Sequence, residues 1–145
     1  VRSLRCDIAL RYLKSVAFAG KTTVLVFDSE ETGPLIGKKM TEKTLAYGEA
    51  PDAVFCFSDD MAWGCIQALT ESGLSVGGNV AVVGFDDEQV SAYMTPPLST
   101  VNIPAEDLGR DSARLMVDLL ENRRKDTVKL TLQTRLVERS TGRIV

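Results

Sequence analysis

Carboxylates stand at the ends of three short apolar runs in this chain. Asp28 follows Thr22 to Phe27 (TTVLVF), Asp59 and Asp60 follow Ala53 to Phe57 (AVFCF), and Asp86 and Asp87 end the run NVAVVGFDD. An apolar run this short and Val-rich, closed abruptly by charge, predicts a strand buried on both faces. Strands of that kind belong to parallel sheets covered by helices, where ligands bind beyond the carboxyl ends of the strands. Acids on that rim can accept hydrogen bonds from ligand hydroxyl groups, or share an octahedral cation such as Mg²⁺. Asp86 leaves its strand first and is the expected ligand contact. For Asp87 the favoured role is a helix N-cap or a solvated loop acid. Ser58 and Asp59 stand at a strand end and a helix start together, so each is a candidate for the ligand or for the helix cap.

The elements that would position these acids alternate. Leu4, Ile8, Tyr12 and Val16, with Ala9 and Leu13 alongside, predict a helix over residues 3–18 that stops at Gly20. The strand TTVLVF follows, then polar turn residues 29–34 and a second helix marked by Leu35, Ile36, Met40 and Leu45. After the Pro51-Asp52 turn and the second strand, a helix carries Met61, Cys65, Ala68 and Leu69 on one side and ends at Gly73. Trp63 and Ile66 lie off that stripe, so they are either ordinary core residues or the anchors of a second subunit. Pro96-Pro97 excludes regular helix or central strand, and Leu98 to Val101 reads as extended. Pro104 to Asn122 is a helix with acidic Glu106 and Asp107 first and Arg123, Arg124 and Lys125 last, as its dipole favours. Its stripe is Leu108, Leu115, Met116, Leu119 and Leu120. Alternating Val128, Leu130 and Leu132 predict a final half-buried strand. The whole predicts a three-layer α/β/α sandwich with a mainly parallel sheet.

Composition narrows the chemistry. The chain has 145 residues, a hydrophobic fraction of 44% and a net charge of −3, which suits one globular domain and gives no basic field for nucleic acid. It contains no histidine, which removes Ser-His-Asp and Cys-His catalysis and the commonest metal ligand. Cys6, Cys56 and Cys65 form no Cys-x-x-Cys pair, and the odd count argues against a disulfide framework. A reducing cytoplasm fits all three cysteines; no apolar span is long enough for a membrane helix, and no signal-peptide pattern opens the chain.

From Pro51 onward the chain resembles the effector-binding domain of lactose-repressor (LacI/GalR) family transcription regulators. The matching pieces are PDAVFCFSDDMAWG, VAVVGFDD, YMTPPLSTVNIPAEDLGRDSARLM and LVERSTG, in family order and spacing. The resemblance implies a fold like that of the periplasmic sugar-binding proteins, in which two subdomains close on a small effector. It implies that this chain is mainly the carboxyl-terminal subdomain, without the DNA-binding headpiece. Helix 104–122 would cross to the amino-terminal subdomain and here lose that partner. By resemblance Asp86 matches the acid that hydrogen-bonds effector hydroxyls, and Ser58-Asp59 matches the usual Asn-Asp pair, with Ser as a departure that keeps a hydroxyl but loses the reach and second group of the amide. Trp63 falls at a position of the family dimer interface, with Ile66 beside it, and Tyr93 and Met94 lie near a second interface segment.

The expected function is therefore non-enzymatic: a cytoplasmic regulatory domain that binds a small polar effector, a sugar first among candidates, with no cofactor and no metal. It would be a homodimer and meet operator DNA only through the missing headpiece. An extracytoplasmic sugar-binding protein of the same fold is the alternative. A Mg²⁺-dependent phosphatase or phosphoacceptor-like domain is a distant third, because no phosphate-binding glycine loop follows a strand.

Overall fold

The computed structural model describes residues 4–15, 20, 33–48, 50–121, 123 and 126–142, with the side chains of the first helix described from Asp7 onward. The expected strand Thr22 to Phe27, its terminal Asp28, and Val16, Arg124 and Lys125 lie outside the described residues.

Strands β1 (Ala53–Phe55) and β2 (Ala81–Val83) run parallel, with Ala53 opposite Ala81 and Phe55 opposite Val83. Beyond β1 the Cys56 N–H donates to Val83 O at 2.8 Å. Strand β3 (Thr100–Asn102) is joined to the other edge of β2 through single parallel bridges, Val83 to Ser99 and Asp86 to Asn102. There the Gly84 N–H donates to Ser99 O and the Asp86 N–H to Val101 O, both at 2.9 Å. Strand β4 (Arg135–Val137) lies antiparallel on β3, with Thr100 opposite Val137. The fold is α/β and its sheet is mainly parallel. The carboxyl ends of β1 and β2 consequently open on one rim.

Among the described residues four helices accompany the sheet: α1 (Leu4–Ser15), α2 (Pro34–Ala46), α3 (Asp59–Glu71) and α4 (Ala105–Leu120). Short 3₁₀ turns cover Gln89–Ala92 and Ser140–Gly142. In α3 the stripe Met61, Cys65, Ala68 and Leu69 is buried as its spacing requires. The helix stops as expected near Gly73, whose φ is +78°, and the Leu74 N–H folds back onto Leu69 O at 3.0 Å. Leu74 packs against the core, which Ile36, Cys65, Ile66, Leu69, Val80, Val82 and Leu98 fill. Burying each large side chain among these contributes about 1.5–3 kcal/mol. Helices α2 and α3 touch backbone to backbone: a Cβ at Gly64 would lie 1.8 Å from Pro34 O, and one at Gly37 would lie 2.1 Å from Met61 O. At the far end of this seam the Lys38 Nζ donates to Glu71 at 2.7 Å, and Glu71 raises the Lys38 pKa above its usual value.

Ile66, for which the sequence leaves a core and an interface role open, is buried in the core. Two expectations are corrected. The Ile8 and Tyr12 stripe of α1 is exposed. The last strand is β4, later than Val128 to Leu132, which form no ladder. Leu130 and Leu132 instead share with Leu108 and Leu115 of α4 the lining of a groove of about 360 Å³. Their alternation records an apolar side without naming its partner.

Gly64→Ala is expected to lower the thermal midpoint sharply, since the new methyl meets backbone that cannot turn aside. Gly109→Ala, on exposed α4 with nothing within 4 Å of the new Cβ, is expected to stabilise by about 0.5–1 kcal/mol through helix propensity. Denaturant titration of the two variants reads both signs.

Candidate functional site

The rim begins where β2 runs out. Asp86 and Asp87 have φ of +115° and +58°, consecutive left-handed conformations in residues other than glycine. Such conformations cost about 1–3 kcal/mol each and persist only where surrounding contacts over-determine them. The backbone N–H of Asp86 is held by Val101 O, and its side chain is half-buried at the rim. Asp87 is held by its side chain. Its Oδ1 accepts from Arg139 Nη2 at 2.8 Å and its Oδ2 from Asn102 Nδ2 at 2.9 Å. Asp87 is therefore neither a helix cap nor a solvated loop acid, as the sequence favoured, but one half of an ion pair whose partners are 14% and 19% exposed.

Across the rim stand Ser58 and Asp59. Ser58 has extended backbone geometry, and its Oγ accepts the Met61 N–H at 3.3 Å, capping α3. Asp59 is the first residue of that helix and is 0% exposed. Its Oδ1 accepts from Thr100 Oγ1 at 2.5 Å, and its Oδ2 accepts from Ser91 Oγ at 2.5 Å and the Glu88 N–H at 2.8 Å. A Cβ at Gly84 would fall 2.3 Å from Asp59 Oδ1, so only glycine lets β2 pass this carboxylate. The sequence placed Asp59 among direct ligand contacts. Its geometry ties α3 to the loop that carries Asp86 and Asp87. Asp60 is exposed on the first turn of α3.

Arg139 was missed as a site residue; it stands in LVERSTG, a stretch quoted for resemblance alone. Besides Asp87, its guanidinium donates through Nη1 to Leu98 O at 2.7 Å, and its N–H donates to Ser99 Oγ at 2.8 Å. Thr141 extends the same network, donating through Oγ1 to Val82 O at 2.7 Å and accepting the Ser99 N–H at 2.8 Å. Both residues stand beyond β4 among the polar neighbours Glu138 and Ser140, where no local pattern identifies a partner.

Of the expected interface residues, Trp63, Ile66 and Met94 line one groove beside α3. Trp63 is 41% exposed and lines a shallow groove of about 250 Å³ with Ile66, Gln67, Thr70 and Met94. Ile66 and Met94 are core residues that also reach this groove, and Tyr93 beside it is 85% exposed. Cys56 and Cys65 are buried thiols outside any disulfide, and the Cys56 thiol holds that of Cys65 below its ordinary range. Among the described residues no group of three or more His, Cys, Asp or Glu side chains is arranged to hold a metal ion. None of the described helices is long and apolar enough to cross a membrane.

The profile of the periplasmic binding protein-like domain family matches residues 11–141. The lactose operon repressor of Rhizobium radiobacter is 38% identical over 107 residues, covering 74% of this chain and 94% of that sequence. The solved complex of the transcriptional regulator CelR with cellobiose superposes with a TM-score of 0.86 at 32% identity, over 95% of this chain and 42% of that one. The lac repressor dimer bound to operator and the anti-inducer ONPF gives a TM-score of 0.81 at 30% identity, over 96% of this chain and 48% of that one. The chain thus spans less than half the length of these solved regulators.

Asp59→Asn is expected to destabilise the fold by about 2–4 kcal/mol. The amide replaces one carboxylate oxygen with a donor, leaving at least one buried donor unmatched, and hydrogen bonds to charged groups contribute about 1.5–3 kcal/mol each. The shift in denaturation midpoint measures this, and a shift below about 0.5 kcal/mol would remove Asp59 from its role in the rim.

Proposed function

The chain belongs to the periplasmic binding protein-like family, within the lactose-repressor group of transcriptional regulators, and on that premise we propose that it forms one wall of a cleft for a small polar effector, a sugar first among candidates. The observation that carries this reading is the placement of Asp86. Its carboxylate stands at the carboxyl end of β2, half-buried, on backbone held out of its relaxed conformation. A hydroxyl-rich ligand suits an acceptor so placed, and CelR, similar over nearly all of this chain, is solved with cellobiose. Asp86 would make the direct contact and Ser58 would offer a hydroxyl on the same rim, while Asp59 positions the loop from below. The relatives are named as repressors and regulators, so the protein is not an enzyme. Of the rim acids, Asp59 and Asp87 are engaged by hydroxyls, amides and Arg139.

In this reading the full-length protein is a cytoplasmic homodimer. The Trp63 groove, with Tyr93 at its margin, meets the second subunit, and a headpiece outside this chain meets operator DNA. An effector that binds the closed cleft more tightly shifts the population of subdomain angles, and only that differential affinity alters DNA binding. Helix α4 would serve the opposite wall. No residue of α4 is buried, and Leu108, Met116, Leu119 and Leu120 are exposed, the last by 75%. An apolar stripe this long without cover suits packing on an amino-terminal subdomain.

Two measurements test these statements. Thermal-shift screening of the full-length regulator against cellobiose, other saccharides, polyols and nucleosides is expected to yield a stabilising ligand, with affinity at least tenfold weaker in Asp86→Asn. A ligand that stabilises both proteins equally would take Asp86 out of the site. The isolated 145-residue chain is expected to self-associate in light scattering or to bind a hydrophobic dye through α4. A clean monomer without dye binding would contradict the assignment of α4 to a missing partner.

A further inference from the structure

The Asp86-Asp87 turn is gripped at three points by side chains far away in sequence. Arg139 reaches it from beyond β4, with Nη2 on Asp87 Oδ1 at 2.8 Å while Nη1 holds Leu98 O at 2.7 Å. Asn102 takes the second oxygen of Asp87, and Asp59 holds the Glu88 N–H on the other side. Between these grips the Asp86 backbone stays at φ +115°, a conformation it would leave if only its own preferences decided. The two-pronged guanidinium fixes both the direction of Asp87 and its distance from the strand below, which a point charge cannot do.

We propose that Asp87 and Arg139 are positioning residues for ligand binding: their ion pair clamps the left-handed turn and thereby aims the Asp86 carboxylate into the cleft. Through it the carboxyl-terminal LVERSTG stretch acts on the ligand site without touching the ligand. The proposal rests on the reading of Asp86 as the ligand contact. It differs from a merely structural ion pair in one respect. A structural pair can be deleted as a pair, since breaking one partner leaves a desolvated charge whereas removing both does not. A positioning pair leaves the turn unclamped even when both charges are gone.

The test uses the full-length regulator carrying Asp87→Asn, Arg139→Met and the double change. Hydrogen exchange is measured over residues 84–88, with denaturation midpoints and cellobiose titration on the same proteins. The Asp86 amide is expected to exchange at least tenfold faster in all three variants, while the amides of Cys56 and Ala81, which bond across the β1–β2 side, stay within twofold. The midpoint of the double variant is expected to recover toward wild type while exchange at Asp86 remains fast, and cellobiose binding falls at least tenfold wherever exchange rises. Unchanged exchange in the single variants overturns the proposal, as does exchange that recovers together with stability. Unchanged cellobiose affinity across a loosened turn overturns it too. If the wild type does not bind cellobiose, that counts against the saccharide reading alone, and the exchange results still decide the clamp.

Discussion

A carboxylate removed from water must be surrounded by donors, and in this chain that demand falls on Asp59. Its side chain is fully buried, and the three donors that satisfy it come from β3, from the Gln89–Ala92 turn and from the backbone between them and β2. Leaving any of those positions would leave buried charge unmatched, which costs more than the bond itself contributes. The N-terminus of α3 adds a favourable dipole for the same charge. The carboxylate therefore dictates where the loop after β2 can run, and Gly84 is the residue that allows the strand to pass beside it.

A second polar layer works from the other edge of the sheet. Arg139 and Asp87 are 52 residues apart in sequence, and Ser99 and Thr141 are 42 apart. These links bind the chain's last described turn beneath β2 and β3, so the rim is locked by residues that share no local pattern. Helix α4 is the opposite case. It has no buried residue, and its apolar stripe meets solvent and the groove below Leu130 and Leu132. Asp59 and Asp87 on the rim find their partners within this chain, whereas α4 leaves its apolar stripe largely uncovered among the described residues.

What the sequence disclosed follows the same division. Periodicity identified α3 and its Met61–Leu69 stripe, and the Val-rich run identified β2 with its acids on the rim, because burial on a regular element leaves a regular pattern. The turn at Gly73 and the extended Leu98 to Val101 stretch were legible through glycine and proline chemistry. Asp59 was not legible as a buried hub, since an acid opening a helix looks the same whether it faces water or three donors. Asp87 was misjudged for want of its partner: nothing near it in sequence points to Arg139. Val128 to Leu132 alternated faithfully, but alternation reports an apolar side and not a hydrogen-bonded neighbour, so β4 was set too early.

On the proposed reading of Asp86 as the ligand contact, the strain at Asp86 and Asp87 bears on how a closing cleft would work. Ordering a loose loop around a ligand consumes part of the free energy of binding, and that part is then unavailable to shift the angle between subdomains. A turn already held at φ +115° and +58° has been ordered during folding, by interactions made whether or not a ligand is present. On the proposed reading, a clamped acceptor would also sharpen choice among ligands, because it cannot swing aside to suit the wrong group. If this rim is one wall of the proposed cleft, its rigidity and the exposed apolar surface on α4 would be complementary requirements. For the binding energy to appear as a change in subdomain geometry, the site must stay fixed while the contact between subdomains moves.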